Sequence, residues 1–358
     1  MNNSFPEGNA IVFCEGAYGT TYGKTAHGLI RRSKRYSVLC IIDSTQAGRD
    51  SGQLLDGRPN GIPVLPDLES ALRMAPASKP ATHFVIGLAP DGGRLHPDHR
   101  QILFQAIEAG LHVDSGLHDF LSEDPDMASF AKKHGVSIRD VRKTPPRNEL
   151  HFFSGKIEEV RALKVAVLGT DSAVGKRTTA WMLVDGLNVR GITCELIGTG
   201  QTAWMQGARY SLLLDSLIND FVSGEIEHAV WSAWTEVKPD VIIIEGQGSL
   251  MNPAYPGGFE ILAAGRPDVI VLQHAPARKD YDGFPGYPIQ PIQTQIKVIE
   301  LLSNKPVIAI AISHENLRAE KIPKICADIE RLTGLPTVDA LIEGPDRISG
   351  VLQKKLLK

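Results

Sequence analysis

The chain has 358 residues, of which 42% are hydrophobic and 22% are charged. This size and composition favour a soluble globular protein of two domains over one oversized core. The formal net charge is -3 and the sequence pI is about 6.4, so the chain offers no basic field that would hold nucleic acid or an anionic membrane surface. We therefore predict a small-molecule substrate and neither a nucleic-acid nor a membrane partner.

The sequence also predicts a cytoplasmic location with reduced cysteines. No apolar run reaches the roughly 18 residues that a membrane-spanning helix needs, and the N-terminal segment MNNSFPEG lacks the basic and apolar regions of a signal peptide. The cysteines lack C-x-x-C spacing, and they are Cys14, Cys40, Cys194 and Cys326. Buried, reduced thiols are the expected state, with a nucleophilic Cys14 as the alternative.

The first half of the chain alternates short β-branched runs with helical patterns. We predict strands at 10–14, 37–43, 83–87 and 111–113, and helices after Lys24, Asp67, Asp98 and Asp126. This alternation is typical of βαβ units and predicts an α/β, Rossmann-like N-terminal domain over residues 1–148. Two prolines in the segment 144–148 predict a linker or a crossover strand there.

The second half predicts a P-loop NTPase-like domain over residues 149–358. Apolar runs that would be buried on both faces, as in central parallel strands, lie at 163–168, 193–197, 241–244, 269–272 and 307–312. Helical spacing occurs at 212–237 and 292–303. The expected sheet is mostly parallel.

A glycine-rich segment joins the strand at 163–168 to a predicted helix. Its residues are Gly169, Thr170, Asp171, Ser172, Ala173, Val174, Gly175, Lys176, Arg177, Thr178 and Thr179. Small residues let successive backbone N–H groups converge on an anion, the helix N-terminus adds partial positive charge, and Lys176 reaches the same oxygens. The segment predicts a loop that holds the phosphates of a co-substrate. A glycine-rich turn without a ligand is the alternative.

The loop departs from the standard pattern G-x-x-x-x-G-K-[ST] at two points. Five residues separate Gly169 from Gly175, a spacing that resembles the ATP enzyme dethiobiotin synthetase. Arg177 occupies the position of the hydroxyl that holds magnesium, and Thr178 lies roughly 100° further around the helix. A guanidinium there could neutralise phosphates without metal, as coenzyme A would require, so we assign no metal ligands.

Other strand ends supply candidate catalytic and substrate groups. Glu245 ends the run at 241–244, where it could accept a proton from an amine or, in an ATP enzyme, hold magnesium. His274 ends another strand and could face the same cleft as Arg278. Ordinary turns are the alternative for the predicted substrate contacts, which are Thr199, Gln201, Thr202, Gln247 and Arg278.

Four motifs together resemble a known enzyme family. They are GTDSAVGKRTT at 169–179, GTGQT at 198–202, IEGQG at 244–248 and GLH at 116–118. With them the chain resembles the D-glutamate N-acetyltransferase (DgcN-like) family over essentially its full length. The resemblance implies acetyl transfer from acetyl-CoA to the amino group of D-glutamate or a related D-amino acid.

In such an enzyme Glu245 would remove the amine proton, and Lys176 or the loop amides would stabilise the oxyanion. Two alternatives remain: an ATP-dependent ligase similar to dethiobiotin synthetase, which would use Mg-ATP, and a non-catalytic nucleotide-binding protein. Apolar helices that look exposed also predict a homo-oligomer.

The loop assignment predicts the behaviour of the Lys176→Ala variant. Because the lysine lies in a loop and not in core packing, the change should weaken binding of the phosphorylated ligand far more than it lowers the free energy of unfolding. Calorimetric titration beside chemical denaturation measures both quantities. Equal ligand affinity in the variant and the wild type would contradict the assignment.

Overall fold

The structure is a computed structural model that describes residues 5–357. The first four residues, part of the segment on which no signal peptide is predicted, lie outside the described residues. The chain forms two compact units: unit 1 comprises the residues up to Thr144 with Gln201–Ala208, and unit 2 comprises Pro145–Gly200 with the residues from Arg209 onward. Within residues 5–357, no helix has both the length and the apolar character that a membrane crossing requires.

Unit 1 is a Rossmann-like fold, as predicted. Its strands are β1 (Gly8–Phe13), β2 (Tyr36–Ile42), β3 (Val64–Leu65), β4 (His83–Ile86), β5 (His112–Ser115) and β6 (Ile138–Asp140). They form one parallel sheet in the order β3-β2-β1-β4-β5-β6. The chain adds strands on one side of β1 and then, from β4 onward, on the other side, as in dinucleotide-binding folds. The helices are α1 (Lys24–Arg31), α2 (Ser51–Asp56), α3 (Leu68–Met74), α4 (Arg100–Glu108) and α5 (Pro125–Lys133).

Unit 2 has the predicted P-loop architecture. Its strands are β7 (Leu163–Gly169), β8 (Cys194–Gly198), β9 (Tyr210–Ser211), β10 (Val241–Glu245), β11 (Val269–His274), β12 (Val307–Ile312) and β13 (Thr337–Val338). The sheet is parallel, in the order β13-β12-β11-β7-β10-β8-β9. The remaining helices are α6 (Lys176–Val189), α7 (Gln201–Met205), α8 (Asn219–Val237), α9 (Phe259–Ala264), α10 (Ile292–Ser303), α11 (Ile322–Thr333), α12 (Ala340–Glu343) and α13 (Asp346–Leu356).

The central strands of unit 2 are buried on both faces. Val167, Ile243 and Ile270, on three neighbouring strands, have no exposed surface. β-Branched side chains pack well on a pleated surface that helices cover on both sides, which explains why these runs are apolar throughout. Parallel register pairs Val167 with Glu245 and Gly169 with Gln273, so the strands end together at one edge of the sheet.

The segment Gln201–Ala208, which contains α7, belongs to unit 1 although it follows a strand of unit 2. The Arg35 guanidinium stacks 3.7 Å from the centre of the Trp204 ring and donates a hydrogen bond of 2.8 Å to the Trp204 carbonyl. The side-chain amide of Gln206 donates to the carbonyl of Gly28 at 2.7 Å. A cation over an indole and a buried amide bond fix the segment against unit 1.

The predicted helix at 212–237 is wrong in its first turns, because α8 begins at Asn219. The N–H groups of Leu212 and Leu214 donate to the carbonyls of Gly198 and Thr199, at 2.9 and 3.1 Å, and the backbone is extended at Leu217 and Ile218, so no continuous helix runs through this stretch. The leucine spacing in this stretch resembles a helix but serves packing against the end of β8.

The four cysteines are buried, free thiols, as expected. Burial raises the pKa of Cys14, and it raises the pKa of Cys40 to about 12 and that of Cys326 to about 11. A thiol with a raised pKa is protonated at neutral pH and is a poor nucleophile. The nucleophilic alternative for Cys14 therefore has no support.

The segment 151–157 crosses helix α8 at a glycine. Two N–H groups of this segment, those of Ser154 and Ile157, donate to the Glu227 carboxylate at 2.6 and 3.2 Å. At Gly224 the crossing is so close that a β-carbon would lie 2.1 Å from the His151 carbonyl oxygen. Glycine therefore permits the backbone contact that attaches this segment to the helix.

Alanine substitution of two helical glycines tests this close contact. We expect Gly224→Ala to lower the free energy of unfolding by about 1–3 kcal/mol, because the new methyl group forces the backbone apart. Gly350→Ala in α13 is the matched control, because a β-carbon there meets no atom within 4 Å. The control should gain roughly 0.5–1 kcal/mol from helix propensity. Urea denaturation measures both, and stabilisation of both variants would contradict the crossing.

Candidate active site

The glycine-rich loop connects β7 to α6 in a conformation suited to anion binding. Ala173 has φ 51° and Gly175 has φ 105°, so left-handed residues interrupt the loop. Such turns direct consecutive N–H groups toward one point. At Gly169 a β-carbon would lie 2.8 Å from Cδ of Lys176, so glycine leaves room for the lysine to fold back across the loop.

The Lys176 ammonium is held between the loop and the turn that follows β10. Its Nζ donates to the carbonyl oxygens of Asp171 and Gly248, at 2.7 and 2.8 Å. A β-carbon at Gly246 would lie 2.3 Å from the Val167 carbonyl oxygen, so this turn can approach β7 closely because the residue is glycine. The cation thus lies where the ends of two neighbouring strands converge. Lys176 is the buried first residue of α6, so the expectation that it lies in a loop outside any packing is wrong.

Glu245 is a buried carboxylate at the end of β10, 4% exposed. Its Oε2 accepts a hydrogen bond of 2.9 Å from the N–H of Thr199, whose hydroxyl donates to the Glu245 carbonyl oxygen at 3.0 Å. Burial raises the pKa of Glu245, while the charges of Arg177 and Lys176 and the Thr199 N–H act in the opposite direction. The carboxylate is therefore close enough to both cations to interact with them, yet it binds a proton more readily than an exposed glutamate does.

Further side chains at this edge surround the loop. The Gln247 amide donates to the Thr199 hydroxyl at 3.0 Å, and the Thr179 hydroxyl donates to Oε1 of Gln273 at 2.6 Å. The Thr170 hydroxyl lies 2.9 Å from Nδ1 of His274. Burial lowers the pKa of His274 to about 4, so this imidazole is neutral at neutral pH.

The structure brings together part of the predicted site. Glu245, Lys176, Arg177, Thr199 and Gln247 group at one edge of the unit 2 sheet. Gln273 and Asn252 contact the loop but were absent from the sequence prediction. Gln273 could have been found from its place one residue before the candidate His274, whereas no pattern marks Asn252.

Two of the other predicted substrate contacts, Arg278 and Thr202, bond to protein groups. Arg278 lies at the loop, where its guanidinium donates to the carboxylates of Asp171 and Glu315 at 2.9 and 2.7 Å. Gln201 and Thr202 lie on α7 in unit 1, and the Thr202 hydroxyl is 2.9 Å from that of Thr25. Their roles in substrate binding stay predictions.

Within residues 5–357, no group of three or more His, Cys, Asp or Glu side chains is arranged to hold a metal ion. Arg177 follows Lys176 in helix α6, and its permanent positive charge repels magnesium. The loop residues thus provide positive charge where a standard P-loop provides a metal-binding hydroxyl.

The Glu245→Gln variant tests the cost of the buried charge. Because burial raises the folded-state pKa above the ordinary value of 4.5, the stability contributed by the protonated acid is lost as the pH rises through that higher pKa. We expect the variant, which cannot ionise, to be more stable than the wild type at about pH 8, with the difference shrinking toward about pH 4. Thermal denaturation across this range measures the difference. A wild type more stable than the variant at the upper pH would contradict the assigned direction.

Comparison with known proteins matches both units. Residues 44–144 match a Rossmann-like domain and residues 151–349 match a P-loop domain, described as the domains of unknown function DUF1611_N and DUF1611_C. A curated D-glutamate N-acetyltransferase from Tritonibacter scottomollicae is 30% identical over 295 residues, covering 79% of this chain and 84% of that protein. Another of the same name from Pseudoalteromonas sp is 31% identical over 295 residues, covering 81% and 86%.

A solved structure extends the match to nearly the whole chain. The crystal structure of a DUF1611 family protein from Anabaena variabilis superposes with a TM-score of 0.88 at 28% identity, covering 97% of this chain and 100% of that one. The similarity to the two relatives named D-glutamate N-acetyltransferase confirms the motif resemblance, and the chain belongs to the DUF1611 family.

Proposed function

We propose that this protein transfers the acetyl group of acetyl-CoA to the amino group of D-glutamate or a related D-amino acid. The names of the two curated relatives support N-acetyl transfer as the reaction type. The observation that carries the proposal is the buried Glu245 carboxylate beside the cations Lys176 and Arg177, at the end of the phosphate loop. This arrangement combines a general base with positive charges that can bind a polyanion.

The loop fits the phosphates of coenzyme A. Left-handed backbone at Ala173 and Gly175 turns N–H groups toward one point, and the helix N-terminus adds partial positive charge. Lys176 and Arg177 contribute two further charges at the same place. A diphosphate can be neutralised by these groups without magnesium, which accounts for an arginine where nucleotide hydrolases have a metal-binding hydroxyl.

Glu245 is suited to act as the general base. The substrate amine is mostly protonated at neutral pH and must lose a proton before its nitrogen can attack. Glu245 accepts that proton, and the raised pKa brings its basicity closer to the working pH. The amine nitrogen then bonds to the acetyl carbonyl carbon and the carbon–sulfur bond breaks. The nitrogen gives up its second proton, the sulfur takes up a proton in return, and CoA leaves as the thiol.

The negative charge that develops on the carbonyl oxygen requires a donor. We propose Lys176 for this role, because its charge acts on Glu245 and the loop N–H groups are assigned to the phosphates. Thr199 and Gln247 are the substrate contacts that we propose first, because Thr199 donates directly to Glu245 and Gln247 donates to the Thr199 hydroxyl. We propose the contacts of Gln201 and Thr202 only after these.

An ATP-dependent ligase is the second candidate function. The glycine spacing of the loop and a carboxylate at the end of β10 also suit a magnesium–ATP enzyme, in which Glu245 would hold the metal. Arg177 in place of the metal-binding hydroxyl favours the transferase. Our proposal also includes a cytoplasmic homo-oligomer, and the strongly exposed Leu301 and Leu302 on α10 support the assembly.

Product analysis tests the proposed function. We expect the purified protein with acetyl-CoA to acetylate D-glutamate in preference to the L-isomer in a panel of D- and L-amino acids, as detected by mass spectrometry. Glu245→Gln should lower kcat by roughly 10²- to 10⁴-fold while the affinity for CoA changes little, because the lost group transfers a proton. Glu330→Gln, which alters a surface partner of Arg347, is the matched control and should keep full activity.

Two outcomes would overturn the proposal. One is the absence of any acetylated product across the panel. The other is saturable binding of Mg-ATP with no binding of acetyl-CoA, which would favour the ligase.

A further inference from the structure

Asp171 lies in the middle of the phosphate loop, yet its side chain has no exposed surface. Its Oδ1 accepts hydrogen bonds from the Ser172 N–H at 2.7 Å and the Asn252 amide at 2.8 Å. Its Oδ2 accepts from the Arg278 guanidinium and the Asp282 N–H, both at 2.9 Å. A carboxylate has about four lone-pair sites, so these donors saturate it.

These bonds join three segments of unit 2. Asn252 belongs to the segment 246–258 between β10 and α9, and Arg278 and Asp282 belong to the segment 275–291 between β11 and α10. Asp171 thus connects the phosphate loop to the loops that follow its two neighbouring strands. Breaking a buried carboxylate network leaves donors without acceptors, so the three segments are held together strongly.

Arg278 is equally occupied. Its Nη1 donates to Asp171 and to the Ser172 carbonyl at 2.9 and 2.8 Å, and its Nη2 donates to the Ala173 carbonyl at 3.4 Å. Its Nε and Nη2 donate to Glu315 at 3.1 and 2.7 Å. These bonds use the five N–H donors of a guanidinium. The arginine lies between two carboxylates, so the local charge does not attract an anionic substrate.

The guanidinium also sets the direction of the loop amides. In a trans peptide the carbonyl of one residue and the N–H of the next point in opposite directions. Because Arg278 holds the carbonyls of Ser172 and Ala173, the N–H groups of Ala173 and Val174 point away from it. The same contact that fixes the outer side of the loop therefore presents its donors on the other side.

We propose that Asp171 and Arg278 are positioning residues: they hold the phosphate loop in its anion-binding conformation and do not touch the substrate. This inference rests on the proposed function in one respect, that the loop is the phosphate site. It assigns to Arg278 a role different from the substrate contact that the sequence predicts.

The test uses Arg278→Lys and Asp171→Asn in the full chain. Lysine keeps the charge but offers three donors from one atom, and asparagine places an amide against groups that themselves donate. Calorimetry with inorganic pyrophosphate and with CoA should show a Kd weakened by about 10- to 100-fold in each variant. KM for acetyl-CoA should rise in parallel, with a much smaller change in kcat at saturation. The double variant should lose little more than the worse single one, because both act on one loop conformation.

The control is Arg347→Lys. Arg347 also bonds a carboxylate, that of Glu330 at 2.7 Å, and a carbonyl, that of Thr337 at 3.1 Å, so the change in side-chain chemistry is the same. It should leave the pyrophosphate Kd unchanged. A merely structural role of Arg278 would lower the folded fraction, and with it the binding stoichiometry and apparent kcat, but not the Kd of the folded molecules.

The outcomes separate this inference from the proposed function. A weakened pyrophosphate Kd in the variants, with no acetylated product from the wild type, would support positioning and overturn the transferase. Acetylated product with an unchanged pyrophosphate Kd in folded Arg278→Lys would overturn positioning alone. A wild type that binds neither pyrophosphate nor CoA would overturn both.

Discussion

The parallel register of β7 with β10 and β11 determines where chemistry can occur in unit 2. Gly169 pairs with Gln273 and Val167 with Glu245, so the phosphate loop, the base candidate and the loop partners leave the sheet at the same edge. A one-residue shift in a strand would turn every side chain of that strand to the opposite face. The apolar residues on both faces of these strands keep the sheet buried, and the polar groups are confined to the strand ends, where ligands bind in open α/β sheets.

The site contains two buried carboxylates, and their surroundings stabilise the ionised form to different extents. Burial of Glu245 favours its protonated form, while Arg177 and Lys176 favour the ionised one, and burial is the largest of these influences. An exposed carboxylate would have a lower pKa and would be a weaker base. A buried carboxylate without the two cations would have a higher pKa and would stay protonated to a higher pH. The Asp171 and Arg278 pair differs, because its donors and acceptors are matched, and such a buried network contributes rigidity. Glu245 thus has a raised pKa, whereas the acceptor sites of Asp171 are saturated by hydrogen bonds.

Strong local patterns made much of this fold predictable. The central strands were found because uninterrupted β-branched runs are rare outside buried sheets, and the loop was found because glycine spacing and a lysine coincide between a strand and a helix. The strands β3, β9 and β13 each have two residues, too few to show any period, and they form only through pairing with longer neighbours. The start of α8 was misplaced because Leu212 and Leu214 bond to the end of β8, a non-local contact. The partners of Arg278 lie 107 and 37 residues away, beyond the reach of spacing arguments.

Unit 1 is discontinuous in sequence, and this affects the order in which the protein can assemble. Its last strand ends at Asp140, but the α7 segment that Arg35 and Gln206 fix against it is translated only after β7, α6 and β8. On the ribosome the Rossmann-like sheet can form early, yet it lacks its final layer of contacts until Ala208 has emerged. A chain cut near residue 148 would therefore separate the main part of unit 1 from its segment Gln201–Ala208. The two units are distinct in their cores but are not separable as contiguous fragments.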